Sequence, residues 1–233
     1  MAAMIKDYSE TTFITGMRAY AAIAVLIVHS VGAVLFYGNE YLQNVIALGG
    51  QGVSVFFVVS GYSVSASYEK SSGFFDYINK RFWRISPLYY LYLFVYIITG
   101  STSPWLIENK VSLDFYNIFM HMTYLSGFDY RIAPTILGVD WTLSVEFFWY
   151  FIVPGLLVWV RNSTIRYKIL ISFSLLFYLS LFSLYLVLPL PRKTISLLIH
   201  WSPFPYMFAF SLGLLAYKLR NVLNHPRNSR QRV

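Results

Sequence analysis

Long stretches without a single charge dominate this chain. Uncharged runs occupy residues 19–39, 41–68, 85–107, 169–191 and 194–217, and a sixth apolar stretch, 141–160, is broken only by Glu146. A bilayer core of about 30 Å takes about 20 apolar residues in a helix that rises about 1.5 Å per residue. The pattern therefore predicts helices at about 12–36, 48–67, 85–99, 141–160, 167–188 and 200–219. That is an all-α fold, a polytopic transmembrane helix bundle of about six spans. The stretch 115–128 is also uncharged, but it reaches only about 21 Å, which predicts a short re-entrant or interfacial segment.

The arrangement of Lys and Arg supports that count. With six spans and the N-terminus inside, fourteen basic residues lie on the inner side, and Lys110, Arg131, Arg192 and Lys193 lie outside. A seventh span at 115–128 would divide them nine and nine. The positive-inside rule favours six spans with both termini cytoplasmic, in the cell (inner) membrane. The first apolar stretch reads as an uncleaved signal-anchor helix. Residues 1–220 are expected to form a single transmembrane domain, and 221–233 a basic cytoplasmic tail.

Composition points the same way. The chain is 57% hydrophobic and 12% charged, against about a quarter charged for a soluble domain. Its 20 Tyr, 20 Phe and 6 Trp suit helices anchored at bilayer interfaces. The absence of Cys excludes a thiol nucleophile, a disulfide framework and a Cys-ligated metal. A net charge of +8 is accounted for by cytoplasmic flanks, and nucleic acid is not an expected partner.

Four features are costly to keep in lipid. Arg18 and His29, in TGMRAYAAIAVLIVHS, lie about three turns apart on one face of the first helix. A neutral imidazole there can act as a general base, although Arg18 can also snorkel and His29 can simply bond a neighbouring helix. In LGGQGVSVFFVVSGYSVS, the glycines 49, 50, 52 and 61 with Ser54 and Ser60 suit close helix packing. In YINKRFWRISPLYY, Arg81 and Arg84 stand at the cytoplasmic mouth of the third helix, as a fork for phosphate groups or lipid headgroups. In VDWTLSVEFFWYFIVP, Glu146 stands about one turn inside the outer end of its helix and Asp140 just outside it. An ionisable residue at that depth is functional or paired with a cation. Trp141, Trp149 and Tyr150 read as interface anchors or as faces for a sugar ring.

Taken in order, RAYAAIAVLIVH, GGQGVSVFFVVSGY, FWRISPLYYLYL and WTLSVEFFWYFIVP, with a weaker PFPYMFAFSLGLLAY at 203–217, resemble acyltransferase family 3. Members of that family O-acetylate bacterial surface glycans from within the membrane. The match covers about residues 12–217. Members have about ten spans, so the chain reads as a short or truncated member.

The resemblance implies an acyl-CoA-dependent O-acyltransferase with acetyl-CoA or another acyl-CoA as donor substrate and no bound cofactor or metal. The acceptor is a hydroxyl of a carbohydrate or lipid-linked glycan. It implies His29 and Glu146 as catalytic residues, Arg81, Arg84 and Arg18 at the donor, and Trp141, Ser144 and Asp140 at the acceptor or in support. A small-molecule transporter, and a non-catalytic subunit or inactive paralogue, are the alternative classes. The residues alone leave the acceptor, the acyl group and the oligomeric state open.

Overall fold

The protein is described from a computed structural model, which covers residues 2–28, 41, 48–100, 104–136, 138–188 and 199–224. The described residues are helical, with no strand among them. We label the helices α1 (Ala2–Leu26), α2 (Gly52–Glu69), α3 (Phe74–Ile98), α4 (Pro104–Asn109), α5 (Phe115–Met122), α6 (Trp141–Val160), α7 (Thr164–Val187) and α8 (Met207–Asn224).

Two of these, α6 and the Thr164–Leu184 part of α7, are long and apolar enough to cross a membrane by length and composition. The six predicted spans thus reduce to two that meet this test among the described residues. Charge and small polar residues account for part of the difference, and residues 29–36 of the first predicted span lie outside the described residues. The α1 helix carries Lys6, Asp7, Glu10 and Arg18, α2 is interrupted by Ser and Gly, and α3 carries charges along its first half.

The end-points also differ from expectation in ways the local chemistry explains. The α6 helix has the predicted bounds, whereas α3 starts at Phe74, well before 85. Its first turns are amphipathic rather than apolar. Asp76 and Lys80, one turn apart, pair at 2.7 Å on the outside, while Tyr77 and Arg81 turn inward. Pro87 lies inside α3 and removes one bond of the helix ladder. The last helix starts at Met207 rather than near 200, because Pro203 and Pro205 hold residues 203–206 in a short turn without the donors a helix needs. The α5 helix has eight residues and reaches about 12 Å, too short to cross.

The chain forms two compact units, Met1–Ser63 with Ala209–Val233, and Val64–Phe208. In the first, glycine allows backbones to touch. A Cβ on Gly49 would fall 2.8 Å from the Ala24 carbonyl oxygen, and one on Gly52 2.8 Å from that of Ala21, so α1 lies directly on the start of α2. Farther along, a Cβ on Gly61 would lie 2.5 Å from the Phe210 carbonyl oxygen, and one on Gly213 would overlap the Val58 carbonyl. Stacked Phe57 and Phe210, 5.4 Å apart, flank that crossing. Three of the four glycines read as packing residues thus pack against backbone; Gly50 faces open space.

In the second unit, α3 is fastened to the end of α5 and to the segment after it by tyrosine hydroxyls. Tyr89 donates to the His121 carbonyl (3.3 Å), Tyr90 to that of Met122 (2.8 Å) and Tyr96 to that of Thr135 (3.1 Å). Tyr89 and Tyr96, seven residues apart, share one helix face and tie α3 to the end of α5 and to the segment after it.

Candidate functional site

Beneath these tyrosines, α3 and α6 bring two of the predicted residues together. Arg81 is only 4% exposed. Its guanidinium lies over two tyrosine rings, 5.8 Å from the Tyr77 centroid and 5.4 Å from that of Tyr150. Tyr150 in turn donates its hydroxyl to Oε1 of buried Glu146 at 2.7 Å. The (i, i+4) spacing of Glu146 and Tyr150 on α6 makes that bond local. A desolvated cation over aromatic faces is worth about 2 kcal/mol or more.

Arg81 and Glu146 therefore belong to one buried cluster, and Arg81 does not stand at the mouth of its helix. The early start of α3 is the reason, since it carries Arg81 inward alongside α6. Arg84, three residues on, is exposed. The two guanidiniums do not form a joint open fork, because tyrosine rings cover one of them.

The residues expected near the acceptor lie at the start of α6. Trp141 is buried, with its ring 4.9 Å from His200 and stacked on Tyr206 at 5.8 Å. Trp149 donates to the Pro203 carbonyl at 2.9 Å. Both indoles fasten the segment 199–206 to α6. Ser144 is buried and its Oγ lies 2.7 Å from that of Ser126. A Cβ on Gly127 would approach the Ser144 Cβ to 3.1 Å and the Trp201 carbonyl oxygen to 3.2 Å. Asp140 is fully buried and faces His121, with Oδ2 3.0 Å from Nε2. None of these four side chains opens to solvent.

In the other unit, Arg18 lies 5.8 Å over the Phe56 ring. His29 falls outside the described residues. Among the described residues, no group of three or more acidic or histidine side chains gathers that could hold a metal ion.

Sequence reasoning missed the polar network around α5. His121 and Asn117 are fully buried, and Nδ1 of His121 lies 2.8 Å from the Asn117 carbonyl oxygen. The Asn117 side chain accepts from Thr135 (2.9 Å) and donates to the Ser112 carbonyl (3.1 Å). The signal was present, an ionisable residue within an apolar stretch. Outside the helices, the carboxylate of Asp129 accepts two bonds from the Arg131 guanidinium, at 2.9 and 2.6 Å, and one from the Tyr116 hydroxyl at 3.2 Å. Those Arg131 bonds hold the carboxyl below its ordinary range.

Helices bearing a buried Arg–Tyr–Glu cluster, with the motif residues at the head of α6, define a class that comparison with known sequences names. A family model described as an acyltransferase domain matches residues 11–229. The chain belongs to acyltransferase family 3. It is similar to the O-acetyl transferase of Shigella phage Sf6, with 29% identity over 67% of this chain and 49% of the relative. It is also similar to a putative acetyltransferase, ORF330, of Acidianus two-tailed virus, with 28% identity over 93% of this chain and 59% of the relative. The peptidoglycan O-acetyltransferase OatA of Listeria monocytogenes shares 30% identity over 70% of this chain and 27% of its own length. The chain thus spans about half, or less, of the curated relatives it matches. No solved structure matches it.

Proposed function

We propose that this chain acts within a membrane as an O-acyltransferase, moving an acetyl or other acyl group from acyl-CoA to a carbohydrate hydroxyl. The observation that carries the reading is the buried cluster in which Arg81 of α3 meets Tyr150 and Glu146 of α6, a helix apolar enough to cross a membrane, in a chain of this family. Buried charges in such a setting serve a pathway or a reaction. Two relatives named as O-acetyltransferases support the reaction class, and the OatA name supports a glycan acceptor. Lipid is the natural solvent for α7, whose Ile165, Phe173, Leu176 and Phe182 are uncovered.

Within this reading the arginines divide their work. Exposed Arg84 takes donor phosphate, which suits a planar guanidinium, and buried Arg81 holds the Tyr150–Glu146 pair. Arg18 supports the donor. His29, assigned by resemblance, takes the proton of the acceptor hydroxyl as its oxygen attacks the thioester carbonyl carbon. The C–S bond then breaks, and the departing CoA thiolate takes up that proton. Glu146 orients an acceptor hydroxyl, and the start of α6 supports the acceptor side. Both termini are assigned to the cytoplasm.

The test is turnover by the purified chain in lipid nanodiscs, supplied with acetyl-CoA and an oligosaccharide acceptor. Expected are release of CoA thiol and acetyl ester on the glycan, both lost in His29→Gln. Thiol release no faster than in empty nanodiscs across a panel of glycans would overturn the enzyme reading in favour of a non-catalytic membrane protein. Activity retained in His29→Gln would remove the imidazole from the mechanism.

A further inference from the structure

His121 has no part in the reaction described so far, and Asp140 enters it only as a supporting residue at the head of α6. Asp140 directly precedes α6, where an aspartate ordinarily accepts hydrogen bonds from the first-turn N–H groups. It makes no such cap. Its carboxylate turns instead to Nε2 of His121, 3.0 Å away, with both side chains wholly out of solvent. Apart from this 3.0 Å contact, neither carboxylate oxygen nor Nε2 has a polar partner among the described residues, so each group is the other's counterpart. Burying a carboxylate costs several kcal/mol unless a counter-group repays it. To forgo a helix cap and accept that burial, the pair must fix something.

The protons can be placed by elimination. Nδ1 of His121 faces the Asn117 carbonyl at 2.8 Å, and a carbonyl only accepts, so Nδ1 carries a proton. The contact between Nε2 and Oδ2 then needs one more proton, on the ring or on the carboxyl. Otherwise a lone pair would face a carboxylate in the dry interior. Tyr89 of α3, donating to the His121 backbone carbonyl, is a further titratable group beside the pair.

We infer that His121 and Asp140 are positioning residues that lock the entry of α6 onto α5, and thereby set the placement of Ser144 and Glu146. A second pin, between Ser126 and Ser144, lies one turn farther along the same helix. Glu146 follows Asp140 by six residues on a continuous helix, so a shift of the first turn moves it. The kinetic consequence rests on the acyl-transfer reading; the structural one does not.

A positioning role and a proton-carrying role separate cleanly. An asparagine at 140 can donate its amide to Nε2 of a neutral ring and keep the contact, but it cannot carry a carboxyl proton. His121→Ala and Asp140→Ala should each lower kcat tenfold or more with donor KM within twofold, and the double variant should fall no further than either single one. Asp140→Asn should recover most of the loss. In parallel, the 19F resonance of 5-fluorotryptophan at position 141, assigned with Trp141→Phe, should move in both alanine variants and return in Asp140→Asn. His121→Gln, which retains a donor toward Asp140, covers the case in which an alanine variant fails to fold. Alanine variants with wild-type kcat and an unmoved resonance overturn the inference. So does Asp140→Asn that behaves like Asp140→Ala in both measurements. If wild-type protein transfers nothing while the 19F shifts behave as expected, the acyl-transfer reading fails and the positioning pair stands.

Discussion

Tyr150 joins two opposite charges from different helices: its hydroxyl donates to Glu146 at 2.7 Å, and its ring lies 5.4 Å beneath the guanidinium of Arg81. Hydroxyl and ring can be removed separately. Tyr150→Phe keeps the cation over the ring and deletes the bond to Glu146. It should cost about 1–3 kcal/mol, read as denaturant unfolding in detergent, and slow transfer. Tyr150→Ala should cost more than Tyr150→Phe, because the ring face and its packing are lost as well.

The two arginines of α3 should part company in the same assay. Arg81→Ala removes a buried cation from the faces of the Tyr77 and Tyr150 rings and should destabilise by about 2 kcal/mol or more, the range for a desolvated cation over aromatic faces. Arg84→Ala, at an exposed position, should leave unfolding within about 0.5 kcal/mol. It should nevertheless raise donor KM by about ten- to a hundredfold, as expected for one lost charge-assisted contact. Equal stability losses in the two variants would contradict the division of roles.

Helix packing gives a prediction independent of function. A methyl at Gly213 overlaps the Val58 carbonyl, whereas one at Gly50 meets nothing within 4 Å. Gly213→Ala should destabilise by about 1–3 kcal/mol through overpacking. Gly50→Ala should change stability by about 0.5 kcal/mol or less. Parallel thermal melts in one detergent measure the contrast.

The Asp129 carboxyl is held below its ordinary range by the Arg131 hydrogen bonds. Its contribution is therefore fully present above the unfolded-state value of about 3.9. It is lost as pH falls through the lower folded-state value. With Arg131 64% exposed, the pair is screened and worth about 0.2–1 kcal/mol. Limited proteolysis of the segment 123–136 should speed up in that acid range for wild type. In Asp129→Asn it should be faster already at neutral pH and insensitive to acid.

The sequence sufficed for the helical class, because apolar runs of bilayer length leave backbone N–H and C=O groups only themselves as partners. It sufficed for the bounds of α6, where the run ends at charges on both sides. It sufficed for three packing glycines, since glycine spacing is legible without coordinates, and the ordered motifs carried the family. The start of α3 was hidden because charges at 76, 80, 81 and 84 end an apolar run without ending a helix. Helix propensity and the Asp76–Lys80 pair continue it.

Only the tertiary structure decided what the polar residues meet. Arg81 and Glu146 are far apart in sequence, and nothing local says that one tyrosine serves both. Asp140 reads as an acceptor-side or supporting residue, and becomes the partner of His121 because α5 folds against the head of α6. Trp141 and Trp149 look like interface anchors until residues 199–206 cover them. Periodicity records how each helix divides its faces between apolar and polar surroundings. Which polar group satisfies another is settled by long-range geometry, where a buried charge must find a partner and sequence distance carries no information about which one it finds.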